Sequence, residues 1–459
     1  MSKPQIVWLR RDLRMEDNPA LYHAAQAGPV VAVYVLDDDR AKGHAYGGAS
    51  RWWLHHSLES LSKSLGKRHA RIILRRGDAV EELCKVAQEV GSETVHANRH
   101  FEPWWRKAQS ELKDRLDLQL YDGNYLLPPG AVTTGSGTPY KIYTPFSKAT
   151  LEQLPPRDQL PEPETLSSPG NWPASDALED WNLLPTRPDW ASGMRDFWTV
   201  GEHAAHERLA WWADHVIGYD EGRNFPSVDE TSQLSPHLHF GEISPVQVWH
   251  ALKEKRSAGW KTYEKELIWR DFAQNVICQF PSYATESYRG EFDKLAWRDH
   301  TGEAAADLEA WQQGRTGYPI VDAGMRQLWQ TGWMHNRVRM IAASFLIKHL
   351  LIDWRVGEKW FWDTLVDADY ASNATNWQWV AGSGVDSNMF VRIMAPLTQS
   401  EKFDAAGYIR TYVPELKHLP DSEIHDPPQG RRGRYPDMIV GHKEGRERAL
   451  AAYRAAKSG

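Results

Sequence analysis

Five short apolar, strand-like runs punctuate the first 121 residues and strand signals nearly vanish beyond about residue 201, an asymmetry that constrains the fold more than any other feature of the chain. Residues 5–9 (QIVWL) and 29–36 (PVVAVYVL) are the clearest runs, 71–74 (RIIL) is shorter, and 93–97 (ETVHA) and 118–121 (LQLY) are weaker. Stretches with helical spacing lie between them, at 49–65, 79–90 and 103–116. Strand–helix alternation of this kind predicts a parallel sheet with helices on both faces. No GxGxxG or GxxxxGK[ST] follows any run, so the usual phosphate loops are missing.

The second half reads differently. Residues 201–215, 245–255, 263–279, 322–330, 336–351 and 359–366 have helical spacing. Residues 130–189 are rich in Pro, Ser, Thr and Gly, and Pro155, Pro156, Pro161 and Pro163 interrupt regular structure. That composition reads as a linker wrapping between domains. The expected organisation is an α/β domain with a Rossmann-like parallel sheet over 1–130, a linker over 131–200, and an all-α domain over 201–459.

Composition narrows the class. A chain of 459 residues with 41% hydrophobic and 25% charged residues has the make-up of a soluble globular protein with a sizeable core. Residues 1–8 lack a signal-peptide pattern, and the apolar stretch 340–352 is broken by Lys348 and His349 and is too short to span a bilayer. Cys84 and Cys278 are the only cysteines, which argues against a disulfide framework or a cysteine-rich metal site and fits a cytoplasmic location. The net charge of −7 argues mildly against nucleic acid, although a basic groove on an acidic protein binds DNA through its local field. Among 23 tryptophans most are core residues, and a few are candidates to stack on a ring system or carry electrons.

Four clusters carry chemistry. Thr231, Ser232, Gln233, Leu234 and Ser235 precede a predicted helix, where hydroxyls and free N–H groups hold a phosphate or simply cap the helix. Glu266, Trp269 and Arg270 share one helix face, either around a heterocyclic ligand or as an ion pair beside a core tryptophan. Asn336, Arg339 and Met340 share another, with Arg337 beside them, facing a ligand and DNA or only solvent. Asp367 and Asp369 lack matching metal ligands, so no metal is expected there, and a flavin or ribose is the alternative partner.

These residues carry a resemblance. Residues 8–14 (WLRRDLR), 17–21 (DNPAL), 317–323 (GYPIVDA), 331–337 (TGWMHNR) and 377–379 (WQW) are similar to long blocks of the photolyase/cryptochrome family, and the likeness spans nearly the whole chain. It implies an α/β antenna domain and a helical domain holding FAD. By position, Tyr219 and Thr231 to Ser235 would hold the FAD phosphates. Arg270, Asn336, Arg339, Asp367 and Asp369 would line the flavin and ribose, and Asn373 would face flavin N5. Asparagine there resembles the repair enzymes, since plant cryptochromes tend to have aspartate and animal ones cysteine.

The resemblance also implies a substrate. Asn336 and Met340 are similar to the class I enzymes for cyclobutane pyrimidine dimers, because (6-4) photolyases carry histidines at these two positions. The implied reaction is light-driven splitting of the dimer by an electron from reduced FAD, with the lesion flipped out of the duplex at a cost of about a few kcal/mol. Glu266 would hydrogen-bond the dimer and stabilise its radical anion, Trp269 and Trp379 would pack on the flipped bases, and Arg223, Arg337, Gln399 and Lys402 would contact DNA. Trp377 and Trp354 match the inner and middle members of an electron-carrying chain, with Trp297 as the outer member and Trp311 as its alternative across an apparent insertion at 301–305.

Arg51 and Glu102 stand where relatives contact a second chromophore, methenyltetrahydrofolate or 8-hydroxydeazaflavin. Arg99 and His100 depart from the deazaflavin pattern, which leaves a flavin, or no chromophore, as further readings. Trp52 and Trp53 either fill that pocket or belong to the core. Met394, Ala395 and Pro396 depart from the usual Phe-Asn-Pro. The expected state is a monomer that binds damaged DNA and no membrane. The rival readings are a blue-light photoreceptor of cryptochrome type, a (6-4) photolyase, and a light-independent electron-transfer flavoprotein.

Overall fold

A computed structural model describes residues 2–387 and 389–458. Strands β1 (Gln5–Leu9), β2 (Val30–Leu36), β3 (Ile72–Arg76), β4 (Thr94–Asn98) and β5 (Asp117–Tyr121) form one parallel sheet in the order β3-β2-β1-β4-β5. The central strands β1 and β2 are buried at every position, because helices cover both faces. The order reverses between β1 and β4, where successive loops diverge and a parallel sheet opens a crevice at its carboxyl edge.

The loop after β1 fills that crevice with charge. Arg10, Arg11, Asp12 and Arg14 are all buried there. Arg14 donates to the carbonyls of Gly123 at 2.8 Å and Gly241 at 3.0 Å, so one guanidinium ties the sheet edge to the helical half. Gly241 sits at φ +67°, and a Cβ there would fall 2.2 Å from the Arg11 carbonyl oxygen, an approach that only glycine permits. Ser50 Oγ donates to Leu365 O at 3.0 Å and Trp362 Nε1 to Ala45 O at 2.7 Å, which extends the contact between the halves.

Helices build the second half. The longest central one, Ala258–Gln279, starts at Ser257, whose hydroxyl accepts from Trp260 N at 3.0 Å. Pro319–Thr331 begins with proline at its first position and ends at Gly332 with φ +67°. Trp354–Thr364 and Tyr370–Ala381 complete the inner layer. The core is dense in indole: Trp212, Trp311 and Trp354 are fully buried.

Two expectations change. The continuous helix predicted over 336–351 is instead Asn336–Ser344 followed by a π-helical turn, Phe345–His349. Lys348 is wholly buried in that turn and donates to the carbonyls of Met389 at 2.8 Å and Arg392 at 3.0 Å, contacts that an uninterrupted helix pattern does not announce. Within the stretch read as linker, Tyr143–Leu151 is helical, because packing against Ala258–Gln279 outweighs its weak local signal.

Candidate functional site

Helix Ala258–Gln279 presents Glu266, Trp269 and Arg270 on one face, as the spacing predicted. Glu266 forms an ion pair with Arg223, a partner that the sequence reading had assigned to DNA. The Arg223 guanidinium also lies 5.2 Å from the Tyr219 ring. Burial pushes the Tyr219 hydroxyl far above its ordinary range, with the Glu266 charge adding to it, so it serves as a neutral donor. Trp269 lies flat on Tyr143, with centroids 3.5 Å apart and planes 4° apart, so one face of its indole is already covered.

Arg270 donates from Nη2 to Leu238 O at 3.1 Å, while its Nη1 is buried without a partner in the chain. Thr231 to Ser235 lead into the short helix Ser235–Phe240. Arg208 pins this run by donating to the carbonyls of Ser232 at 2.7 Å and Thr231 at 2.9 Å. Ser232 Oγ accepts from Tyr263 at 3.0 Å, and Gln233 takes φ +52°. Sequence reading missed Arg208, since nothing local marks an arginine whose contacts lie 23 and 24 residues downstream.

Asn336 is exposed at the first position of its helix, with Arg337, Arg339 and Met340 half-buried behind it. Arg337 donates to Asn224 Oδ1 at 2.9 and 2.5 Å, and burial together with the nearby Arg223 charge lowers its pKa. Arg337 and Lys402 each lie 5.4 Å from the Phe403 ring, so they flank one aromatic at the rim. Gln399 is half-buried on helix Pro396–Lys402. Arg223, Arg337 and Lys402 thus gather as a cationic rim beside Glu266.

Arg339 pairs with Asp367 Oδ2 at 3.0 Å and leaves Asp367 Oδ1 buried and unpartnered. Asp369 caps helix Tyr370–Ala381 through Ser372 N at 2.8 Å and pairs with Arg11 at 2.9 Å. Burial alone would raise the Asp369 pKa, but the Arg11 charge, helped by the Ser372 backbone hydrogen bond, outweighs it and holds the carboxyl below its usual range. Burial pushes His239 down to about 3, so its ring is neutral. Asn373 is buried, and its Nδ2 donates to Glu358 Oε1 at 2.9 Å. Glu358 Oε2 has no partner, and His44 from the α/β half approaches Glu358 Oε1 to 3.6 Å. Glu358 and His44 were not foreseen, because each reads locally as an ordinary helix-surface or loop residue.

Trp377 and Trp354 are buried, and Trp379 is half-buried. Trp377 meets Trp311 edge-on at 6.5 Å, and Trp297 is half-buried. Arg51 and Glu102 are not brought together. Arg51 pairs with Asp38 at 2.8 Å, whereas Glu102 is fully buried in an ion pair with Arg11. Trp52 and Trp53 are core residues, and Trp53 Nε1 donates to Glu242 at 3.1 Å.

Chemically, the inner part of this site offers buried donors and acceptors that the chain does not satisfy. Arg270 Nη1, Asp367 Oδ1 and Glu358 Oε2 each leave a desolvated polar atom, at a cost of about 1–3 kcal/mol per group unless a ligand meets it. A ligand carrying both N–H groups and carbonyl or hydroxyl oxygens is required, and the isoalloxazine and ribose of a flavin nucleotide carry both.

The comparisons with known proteins agree with that chemistry. A family described as the FAD binding domain of DNA photolyase matches residues 263–455, and one described as DNA photolyase matches residues 5–164. The chain is 47% identical to the deoxyribodipyrimidine photo-lyase of Agrobacterium fabrum, over 99% of this chain and 98% of that one. The crystal structure of a bacterial class III photolyase from Agrobacterium tumefaciens superimposes with a TM-score of 0.94 at 47% identity, covering 100% of this chain and 98% of that one. An archaeal photolyase from Sulfolobus tokodaii, solved with two FAD molecules, superimposes with a TM-score of 0.82 at 28% identity, over 98% of this chain and 100% of that one.

Proposed function

The chain belongs to the DNA photolyase family, and from that premise we propose that it is a light-driven carbon–carbon lyase that splits cyclobutane pyrimidine dimers in DNA. The observation that carries the reading is the juxtaposition of the Glu266–Trp269–Arg270 face with the cationic rim of Arg223, Arg337 and Lys402. The likeness at class level is to a class III photolyase rather than to class I, because Asn336 and Met340 separate dimer enzymes from (6-4) enzymes but not the dimer classes from one another.

The cofactor is FAD. When bound and reduced, FAD would supply the light-driven one-electron chemistry of the repair. The residues of the chain hold, orient and tune. Tyr219 and Thr231 to Ser235 are the proposed phosphate cradle. Arg270, Asn336, Arg339, Asp367 and Asp369 would line the flavin and ribose, and Asn373 would face N5. Glu266 hydrogen-bonds the dimer and steadies the charge it gains, with Met340 beside it, while Trp269 offers its uncovered face and Trp379 its half-buried ring to the flipped bases. Arg223, Arg337, Gln399 and Lys402 position the DNA through phosphates and read no sequence. Trp377, Trp354 and Trp297 would form the electron relay toward the bound cofactor.

Three finer readings accompany this one. The halves divide near 130 and 200, with 1–130 as the antenna domain. The protein acts as a cytoplasmic monomer; in support, no helix among the described residues is long and apolar enough to cross a membrane, and both cysteines are free. A second chromophore (folate, deazaflavin or flavin), where one is bound, would sit in the cleft at the sheet's carboxyl edge lined by Tyr34, Asp38, Tyr46, Trp104 and Trp105.

The test is repair itself. Reduced holoenzyme is mixed with an oligonucleotide bearing one thymine dimer, in blue light and in darkness, with a (6-4) substrate alongside. Intact thymines appearing only in light and only from the dimer support the reading. An FAD-loaded protein that restores neither lesion overturns it in favour of a photoreceptor.

A further inference from the structure

The sequence reading expected no metal, yet helix Gly48–Lys67 brings a set of metal-ligating side chains together. Among the described residues, His55, His56 and Glu59 form one group whose ligand atoms all lie within 4.8 Å of one another. The spacing explains the convergence. Glu59 stands at i+4 from His55 and at i+3 from His56, the two separations that bring helical side chains together. His56 Nδ1 already lies 3.6 Å from Glu59 Oε2.

We propose that His55, His56 and Glu59 bind one divalent transition ion of the zinc class, with an open fourth position. Two imidazoles and one carboxylate form a borderline-soft donor set that suits zinc and its neighbours and disfavours calcium or magnesium. A tetrahedral ion at about 2.1 Å from each donor requires donor separations of about 3.4 Å, a closure that the half-exposed Glu59 can supply by changing rotamer. His55 Nδ1 is buried and has no hydrogen-bond partner, so a lone pair or N–H there is left without a use in the fold.

The charge environment is compatible with binding and names its competitor. Lys63 Nζ donates to Glu59 Oε1 at 2.7 Å, so that carboxylate oxygen is already occupied. Lys63 must therefore release Glu59 when the ion enters. Glu179, which acts on His55 electrostatically, and Arg195, which acts on His56 with the opposite sign, complete the local field. His56 also meets the edge of Trp52 at 4.8 Å, which fixes its ring plane.

The test uses untagged holoenzyme titrated with Zn2+ by calorimetry and with Co2+ by absorption to the red of the flavin bands. One ion binding with a Kd of about 10 µM or tighter is expected. His55→Ala, His56→Ala and Glu59→Ala should each weaken binding at least about tenfold, by loss of one ligand bond. Lys63→Ala should tighten it severalfold by freeing Glu59, an effect that scattered surface binding would not show. Light-driven dimer repair should stay at the parent level in all four variants, which reports that each is folded. Absence of one-to-one binding, or Zn2+ affinity unchanged in the His55 and His56 variants, overturns the proposal.

Discussion

Asn373 spends its side-chain amide on Glu358: Nδ2 donates to Glu358 Oε1 at 2.9 Å and to the Glu358 carbonyl at 3.1 Å. With both N–H directions taken, Oδ1 is the atom left to face a ligand. An acceptor opposite flavin N5 favours the reduced flavin, whose N5 carries a proton. Glu358 thus acts as a positioning residue through Asn373. Glu358→Gln permits the amide to turn over, and the reduction potential of bound FAD should fall by about 30 mV, the equivalent of about 1.4 kcal/mol for a two-electron couple. Spectroelectrochemical titration of parent and variant checks this, and an unchanged potential removes the orienting role.

Glu266 is the proposed contact to the dimer and is tied to Arg223. Glu266→Ala removes one charge-assisted hydrogen bond that strengthens as the dimer gains charge. A net value of about 1–1.5 kcal/mol corresponds to a loss of roughly five- to tenfold in repair per absorbed photon. FAD content and its absorption spectrum should not change. Actinometry at limiting light on a single-dimer oligonucleotide measures the loss, and parental yield would exclude Glu266 from the reaction.

Arg337 is held by Asn224 and flanks Phe403 at the rim opposite Lys402. Arg337→Ala should weaken binding to damaged and undamaged duplex alike and reduce the slope of log K against log salt by about 1. Binding isotherms at three salt concentrations give that slope. A variant that loses affinity only for the lesion would place Arg337 on the bases instead.

Much of this was legible in the sequence because it rests on local periodicity. All five strands fall where apolar runs predicted them, and β1 keeps its predicted bounds. The Glu266–Trp269–Arg270 face follows from helix geometry alone. What escaped depends on contacts between residues far apart in the chain. Arg11 reaches Asp369 across 358 positions, and His44 reaches Glu358 across the domain contact. Arg223 and Arg337 read as free cations, but the fold supplies Glu266 and Asn224 as their resting partners.

Acid should unfold this protein earlier than its carboxylates alone would dictate. Burial lowers His239 to about 3 and, with nearby arginines, His335 to about 4, from an ordinary value of 6.5. A depressed folded pKa contributes stability that is complete above 6.5 and is lost as pH falls through the window toward 3 or 4. Asp369, held low by Arg11, adds loss only below about 4. The Tm should therefore decline from pH 6.5 downward, and His239→Gln should flatten the decline between pH 6 and 5. Thermal melts across that range decide it, and a flat parental profile down to pH 4 would refute the histidine contribution.

The proposed tryptophan relay turns on which indole lets its radical lose a proton. Trp311 touches Trp377 at 6.5 Å and shares Phe361 with it, but it is fully buried and its Nε1 donates to Ala342 O at 3.0 Å. A radical cation there has no water to take its proton, so the electron returns. Trp297 is only half-buried as a residue, although its indole nitrogen is itself buried and has no hydrogen-bond partner in the chain. Of the two indoles Trp297 is the more exposed, which suits the outer position. Trp297→Phe should slow the light-driven reduction of oxidised FAD by at least about tenfold in the presence of external reductant, since the inner radicals then recombine before release. Trp311→Phe should leave that rate near the parent value and lower the Tm instead, by the cost of a core cavity of about 1–3 kcal/mol. Flash photolysis and thermal melts on the same two variants separate the roles, and the opposite pattern would make Trp311 the exit and Trp297 a bystander.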